Sequence, residues 1–295
     1  MTSNLREIKR RIKSGKNTRQ ITKTMEMVSA SKMRKVQNET LKSRTYAEKA
    51  LEILTALSQK KLNQQHPFLQ PRTVKHQTFI VVSTERGLCG GFNTSLVAEL
   101  NKQLDVKNPE KYSFITLGKK GRDALMRQGL KVEADFSGTN RNDPGYILPI
   151  CEMVFKNFLE GKTDEVKVIY THFINTMKQK PIVRTLFPLT YGAFIDLAKS
   201  LSGKAKEIEP VDFLVEPNAT VVLESLIPPL VESQIWQSVL ESEASEHSAR
   251  MITMKNATDA ATDIIKDLTL LGNQMRQNAI TAEISEIVSA GEAMR

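Results

Sequence analysis

The stretch MKNATDAATDIIKDLTLLGNQM, residues 254–275, decides the fold of this chain. Its apolar residues are spaced three and four apart in alternation, which is the seam pattern of a coiled coil. These residues are Met254, Ala257, Ala261, Ile264, Leu268, Leu271 and Met275. No proline follows Pro229, so the pattern predicts one coiled-coil helix over residues 218–295. Such a helix is on the order of 110 Å long, and it needs a partner along its length.

Residues 1–58 predict that partner, a second coiled-coil helix at the opposite end of the chain. Its apolar stripe consists of Leu5, Ile8, Ile12, Ile21, Met25, Val28 and Val36. Gly15 weakens the pattern and is a candidate position for a bend. Because the two terminal helices run in opposite directions, the ends of the chain predict a long antiparallel coiled coil.

The net charge of +9 is concentrated in the first helix. Residues 1–50 contain 14 Lys and Arg against 4 Asp and Glu, whereas the rest of the chain contains 28 against 29. A basic amphipathic helix in an otherwise neutral protein implies an acidic partner surface. The charge alone leaves two interpretations open: a solvated coiled-coil strand, which is the more common, or an arm that binds nucleic acid.

Between the two helices, residues 76–216 alternate short buried-strand runs with helical spacing. This alternation predicts a small α/β domain with a largely parallel, Rossmann-like sheet. The predicted strands are Phe79–Val82, Tyr112–Leu117, Val132–Phe136, and Val166–Tyr170 paired with Val183–Leu189. Residues 59–77 are predicted to be a linker, residues 196–210 a mobile surface loop, and Val211–Val215 a last strand. The predicted fold class is therefore α/β, with a long antiparallel coiled coil of N- and C-terminal helices and a small inserted α/β domain.

The composition argues against several classes of protein. No apolar run reaches the roughly 18 residues that a membrane-spanning helix needs, and the N-terminus lacks the apolar core of a secretory signal. Cys89 and Cys151 are too few for a disulfide framework and lack zinc-ligand spacing. The four histidines are scattered, so no metal site is predicted. A reducing, intracellular setting is expected.

The turn Gly87–Gly91 lies between a predicted strand and a predicted helix, where a nucleotide-binding loop would lie. It lacks the G-x-G-x-x-G spacing, so a structural turn or a partner-contact loop is favoured over a cofactor site. Gly161-Lys162-Thr163 resembles the end of a phosphate loop, but the predicted helix and strand around it are in the wrong order. Cys89 is better explained as a small structural residue than as a nucleophile. The sequence therefore predicts no catalytic residue and no cofactor, and it favours a mechanical or binding role.

Three motifs are more specific than these patterns. They are NTRQITKTMEMVSASKMR at residues 17–34, RGLCGGFN at residues 86–93 and RQNAITAEISEIV at residues 276–288. They resemble, in the same order, signatures of the γ subunit of F-type ATP synthases of the bacterial type, and the general plan is similar over the entire chain. The resemblance implies the central rotor shaft, a non-catalytic subunit that couples proton flow through a membrane ring to ATP synthesis or hydrolysis on other subunits.

The same resemblance implies the partners and the location of the chain. The expected partners are the α and β subunits of the catalytic ring, the ε subunit and the membrane c ring, with ATP and magnesium bound by α and β. No nucleic acid and no direct insertion into the membrane are expected. The expected location is the cytoplasmic side of the cell inner (plasma) membrane, as a peripheral protein. Some members of the family have a regulatory cysteine pair after the central sheet. Residues 190–215 contain no cysteine, so thiol regulation of that kind is not expected here.

By position in these motifs, the resemblance also implies contacts with the β-subunit levers and with an apolar bearing. Lys23 and Met25 lie on the first helix near the levers, and Gly87 with Cys89 forms the turn that approaches a lever. The C-terminal helix contributes Arg250, Arg276, Gln277, Thr281, Glu283 and Glu286. Ile280, Ile284, Ile287 and Met294 form an apolar edge that is expected to enter the bearing. Two other classes stay open as alternatives, a nucleic-acid-binding coiled coil and a small nucleotide-dependent enzyme.

Overall fold

The computed structural model describes residues 2–59, 67–105, 107–139, 143–189 and 219–294. Contacts divide the chain into two compact units, residues 1–30 with 250–295, and residues 31–249. Five helices are described: α1 Thr2–Gln59, α2 Phe92–Gln103, α3 Lys119–Arg127, α4 Leu148–Leu159 and α5 Ala219–Ala293. Short 3-10 turns at Pro109–Lys111 and Pro144–Ile147 precede the second strand and α4. No helix in these ranges has a stretch apolar enough to cross a membrane.

The unit of residues 31–249 is built on a five-stranded sheet. Its strands are β1 Gln77–Val82, β2 Tyr112–Leu117, β3 Val132–Asp135, β4 Glu165–Asn175 and β5 Lys178–Phe187. Their order is β3-β2-β1-β4-β5, and every neighbouring pair is parallel except the β4–β5 hairpin. The predicted largely parallel sheet is confirmed, as is the predicted pairing of the last two strands.

β1 lies at the centre of this sheet because its side chains are apolar on both faces. Phe79 and Val81 face a cluster with Leu96 and Leu100 of α2, whereas Ile80 and Val82 face a second cluster. The second cluster includes α4 and residues Ile227 to Val239 of α5. A strand buried on both faces needs such continuous apolar composition. The first third of α5 therefore belongs to the core of this unit.

Residues 67–76, part of the predicted linker, are also drawn into this core. Phe68 and Leu69 are buried, and the Phe68 ring stacks on Phe187 with a centroid distance of 5.0 Å. Arg72 donates a hydrogen bond from Nη1 to the Phe158 carbonyl at 2.8 Å. The linker prediction was wrong for this part, because the apolar pair between the two prolines covers one end of the sheet.

In the unit of residues 1–30 and 250–295, α1 and α5 pair antiparallel. A Cβ built at Gly15 would meet Ile265 at 3.1 Å, and one built at Gly272 would meet Ile8 at 3.3 Å. The Thr258 hydroxyl donates to the Thr22 hydroxyl at 2.8 Å. The paired positions are seven residues apart on each helix, and their numbers sum to 280 each time. The predicted antiparallel coiled coil of the terminal helices is thus confirmed.

The contacts correct the predicted seam on α5. The predicted positions Met254, Ala261, Leu268 and Met275 are buried or partly buried, but Ile264 is 57% exposed and Leu271 is 45% exposed. The inward positions between them are Thr258, Ile265 and Gly272. The physical reason is the partner helix: a glycine on one helix admits an isoleucine from the other. A seam predicted from apolar residues alone does not include Thr258 or Gly272.

The stripe on α1 is corrected in the same way. Thr22 and Ser29 are buried, whereas Ile21 is 60% exposed and Val28 is 49% exposed. Gly15 does not interrupt α1, and its missing side chain makes room for Ile265. The seam therefore contains small and hydroxylated residues, which leaves several apolar side chains on the outer surface of the helix.

The predicted loop at residues 196–210 and the predicted strand Val211–Val215 lie outside the described residues. The division into domains at residues 1–58, 76–216 and 218–295 stays a prediction.

Candidate functional site

The turn after β1 is a strained and well-anchored surface feature. Leu88 has a positive φ of 64° and is 61% exposed. A left-handed backbone costs a leucine on the order of 1–2 kcal/mol, so the rest of the turn has to hold it. The Thr84 hydroxyl donates to the Arg86 carbonyl, and the Asn93 amide donates to the Thr84 oxygen, each at 2.8 Å. Strain held in this way on an exposed turn is typical of a contact site.

Cys89 supports this turn from the inside. It is 2% exposed, and its Sγ accepts a hydrogen bond from Asn93 Nδ2 at 3.5 Å. Its neighbours cover the thiol, and the expected partner contact of Cys89 stays a prediction. Gly87 is partly exposed, and Arg86 and Leu88 are exposed beside it. Sequence reasoning did not single out Arg86 or Leu88; the only signal was their place in the glycine-rich motif.

Among the described residues, α5 covers the place where nucleotides bind in open α/β folds. That place is the carboxyl end of the strands on either side of the change in strand order, here β1 and β4. α5 crosses it: the Ser242 hydroxyl donates to the Val82 carbonyl at 3.4 Å, and the Ser245 hydroxyl donates to the Thr171 carbonyl at 3.0 Å. Among the described residues, no group of three or more His, Cys, Asp and Glu side chains could hold a metal ion.

On α1, the two predicted lever residues lie beside exposed apolar side chains. The Lys23 ammonium forms an ion pair with Glu26 at 3.1 Å, and Lys23 stays about half exposed. Met25 is partly buried, and Ile21 and Val28 are exposed beside it. The surface around Met25 therefore combines cationic and apolar groups, which suits an acidic partner that also has apolar side chains.

On α5, the predicted contact residues near the C-terminus are exposed: Arg276, Gln277, Thr281, Glu283 and Glu286. Arg250 differs, because it is buried, and its expected contact with a partner stays a prediction. The Thr281 hydroxyl donates to the Gln277 carbonyl of its own helix at 3.0 Å. Burial again separates a supporting residue from residues that can reach a partner.

The structure does not bring the predicted contact residues on α1 close to those near the C-terminal end of α5. In the pairing that sums to 280, Lys23 lies opposite residue 257, which is 19 residues before Arg276. That distance is about 30 Å along the helix at 1.5 Å per residue. The predicted contact residues of this unit therefore lie in two separate regions, one around Met25 and one at the C-terminal end of α5.

The end of α5 is an unpartnered apolar ridge within the described part of the chain. By the same pairing, Thr2 at the start of α1 lies opposite residue 278, so no described residue of α1 lies opposite residues 279–293. Ile280, Ile284, Ile287 and Val288 are exposed there. Their spacing of three and four places them on one side of the helix. Such a ridge is typical of a surface that a partner covers.

Comparison with known proteins gives one family. The ATP synthase family model matches residues 4–294. The ATP synthase gamma chain of Heliobacterium modesticaldum is 38% identical over 293 residues, with 98% of this chain and 99% of that protein covered. The gamma chain of Ralstonia nicotianae is 40% identical over 294 residues, with the same coverage.

Solved structures agree with this result. A chain of the Tetrahymena thermophila mitochondrial ATP synthase central stalk and c ring has a TM-score of 0.60 and 25% identity, covering 80% of this chain and 99% of its own. A chain of the Euglena gracilis mitochondrial ATP synthase has a TM-score of 0.67, covering 100% and 95%. Its identity of 20% supports the fold alone. The family model, the near full-length bacterial relatives, and the fold of paired terminal helices with an inserted sheet all agree. The chain belongs to the ATP synthase gamma-chain family.

Proposed function

We propose that this chain is the central rotor shaft of an F-type ATP synthase, coupling proton flow through a membrane ring to ATP synthesis or hydrolysis. The observation that carries the proposal is the antiparallel helix pair with an apolar ridge at its end. Side chains on the ridge can turn inside an apolar collar, because contacts between apolar surfaces are not directional. Family membership gives the complex in which the shaft acts.

The catalytic partners in this proposal are α and β subunits. The exposed outer surface of α1 is strongly basic, with Arg10, Arg11, Lys13, Lys16 and Arg19 in two turns and a half. Charged contacts of this kind attract acidic levers on β without one fixed geometry. In the proposal, Lys23 and Met25 meet a lever on one side, and Arg86, Gly87 and Leu88 meet a lever at the turn after β1. Arg276, Gln277, Thr281, Glu283 and Glu286 make further contacts near the collar.

The subunit itself is non-catalytic in this proposal, and ATP is bound and hydrolysed elsewhere in the complex. Rotation presents a different face of the asymmetric shaft to each β subunit and biases each nucleotide site among conformations of different affinity. The ε subunit and the c ring are the proposed partners of the sheet unit. The complex then lies at the cytoplasmic side of the cell inner membrane, with this chain attached peripherally.

Reconstitution tests this function directly. The full chain is combined with α, β and ε subunits of a bacterial relative and with membrane vesicles that contain the c ring. We expect restored ATP hydrolysis and ATP-driven proton pumping. A chain that never enters the complex, or that enters it without restoring pumping, contradicts the rotor proposal.

Deletion of residues 287–295 tests the bearing. Because the deletion removes part of the apolar ridge but leaves the helix pair, we expect a several-fold loss of assembly and near-normal turnover in the complexes that form. The matched control replaces exposed Asp263 and Asp267 with Asn, which removes two negative charges outside the ridge and outside the proposed contacts. Complexes that assemble fully with the deleted chain but hydrolyse no ATP would show that the tip has a role beyond a bearing.

A further inference from the structure

A pocket of about 430 Å³ lies in the unit of residues 31–249. It opens between the 3-10 turn before α4 and the first third of α5. Its lining residues are Pro144, Gly145, Ile147, Leu148, Pro229, Glu232, Ser233 and Trp236. The volume is within the range of sites that bind ligand groups. Its walls are mostly apolar, and one carboxylate is among them.

Two side chains give the pocket its chemical character. Trp236 is partly buried, and Tyr146 packs against it in a T-shaped contact with a centroid distance of 6.2 Å. Glu232 lies one turn earlier on the same helix and is partly exposed. Among the described residues, its carboxylate has no hydrogen-bond or ion-pair partner. An aromatic face beside an unpaired carboxylate is the combination that recognises a guanidinium group.

The local charge agrees with a cationic occupant. Burial, with smaller contributions from the carboxylates of Glu232 and Glu152, raises the pKa of the Cys151 thiol to about 12. Both carboxylates therefore act on the same edge of the unit, and both disfavour a second negative charge. The apolar walls at Leu148 and Pro229 suit the methylene stem of a long side chain.

We propose that this pocket binds an arginine side chain presented by a partner protein, with the guanidinium stacked on Trp236 and paired with Glu232. Arginine fits better than lysine because its planar guanidinium stacks on an indole ring while its edge donates to a carboxylate. The proposal goes beyond the rotor role: it assigns a docking site to a part of the chain that the shaft contacts do not use, and its test needs only this chain.

Fluorescence of the full chain tests the pocket, because Trp236 is its only tryptophan. The probe is the peptide acetyl-Leu-Arg-Leu-amide, whose leucines suit the apolar walls. The matched probe replaces arginine with citrulline, which has the same shape without the charge. We expect a saturable change in Trp236 emission with the arginine peptide, and binding at least ten-fold weaker with the citrulline peptide.

Two variants complete the test. Glu232→Gln keeps the size of the side chain and should reduce the ten-fold preference to less than two-fold. Glu110→Gln removes the same charge from an exposed position outside the pocket and should keep the preference. Equal binding of the two peptides to the natural chain would show a purely apolar pocket, and an unchanged emission would show no docking. A preference that survives in Glu232→Gln would remove Glu232 from the site. Each of these three results overturns the proposal.

Discussion

Replacement of Gly118 by alanine should strongly destabilise the α/β unit. Gly118 joins β2 to α3 with a φ of 119°, a conformation that side chains rarely adopt. An added Cβ would lie 2.4 Å from the Ser83 carbonyl oxygen and 2.7 Å from the Ser83 hydroxyl. The neighbour is backbone at the end of the central strand, so it cannot rotate away.

The Ser83 hydroxyl makes this junction more sensitive. It accepts a hydrogen bond from the Gly121 N–H at 2.8 Å and donates one to the Gly118 carbonyl at 2.9 Å. Ser83, which directly follows β1, therefore caps the N-terminus of α3. The residue before α3 is a glycine, which has no side chain to do so. A Cβ on Gly118 would push Ser83 away and leave the buried Gly121 N–H without its acceptor.

The magnitude follows from two costs. The strained backbone costs on the order of 1–3 kcal/mol, and the clash costs on the order of 1–3 kcal/mol as overpacking. We expect a loss of about 4 kcal/mol in the free energy of unfolding, reduced slightly by the lower entropy of the unfolded alanine chain. Gly129→Ala is the matched control. Gly129 has a φ of 72° and no atom within 4 Å of an added Cβ, so only about 1–2 kcal/mol is expected.

Urea unfolding of the full chain, followed by Trp236 fluorescence, measures both variants. Trp236 lies in the same compact unit as the two glycines. A Gly118→Ala chain that is as stable as the Gly129→Ala chain would refute the reasoning about the Ser83 contact. A Gly118→Ala chain that does not fold, beside a stable Gly129→Ala chain, agrees with it.

The remaining predictions concern the shaft, the nucleotide and the thiols. Ile265→Ala should cost about 2 kcal/mol of unfolding free energy through the cavity it leaves, whereas Ile264→Ala should change it by less than about 0.5 kcal/mol because the side chain is exposed; equal losses would contradict the seam described above. Met25→Lys should leave ATP hydrolysis near normal but impair proton pumping, because a new ion pair of up to about 1 kcal/mol deepens one rotary position, and Met25→Leu is its silent control. Loss of assembly with Met25→Lys would instead place Met25 in the dry seam. Calorimetric titration of the full chain with Mg-ATP should give no saturable binding, since α5 crosses the end of the sheet; micromolar binding would contradict this. A dithiol should not change ATP hydrolysis of the assembled complex several-fold, because both cysteines are buried and the raised pKa of Cys151 keeps its thiol protonated at pH 8.

The order and type of the elements could be predicted from the sequence. β1, β2 and β3 begin and end within two residues of the predicted bounds. These elements have strong local signals: continuous apolar runs for buried strands, and apolar spacing of three and four for helices. The turn at Gly87–Gly91 was also located, because its glycines lie between a strand and a helix.

The sequence could not separate the buried residues of the candidate site from the exposed ones. Cys89 belongs to a motif as specific as those of Met25 and Arg276, yet Cys89 is buried, as is Arg250. A motif identifies a position in a family, but the exposure of a side chain depends on the elements that pack around it. Leu88 is exposed and has a strained backbone, and neither property could be predicted from its being a leucine.

By itself, the sequence determined that both ends of the chain are helices that pair and that the middle is a mostly parallel sheet. Only the tertiary structure decided which positions face each other. Ile264 and Ile265 fit the helical period almost equally well, because adjacent positions differ by about 100° on a helix and an apolar stripe is about that wide. Gly15 makes the choice by admitting Ile265. That contact joins residues 250 positions apart, so no local pattern could contain it.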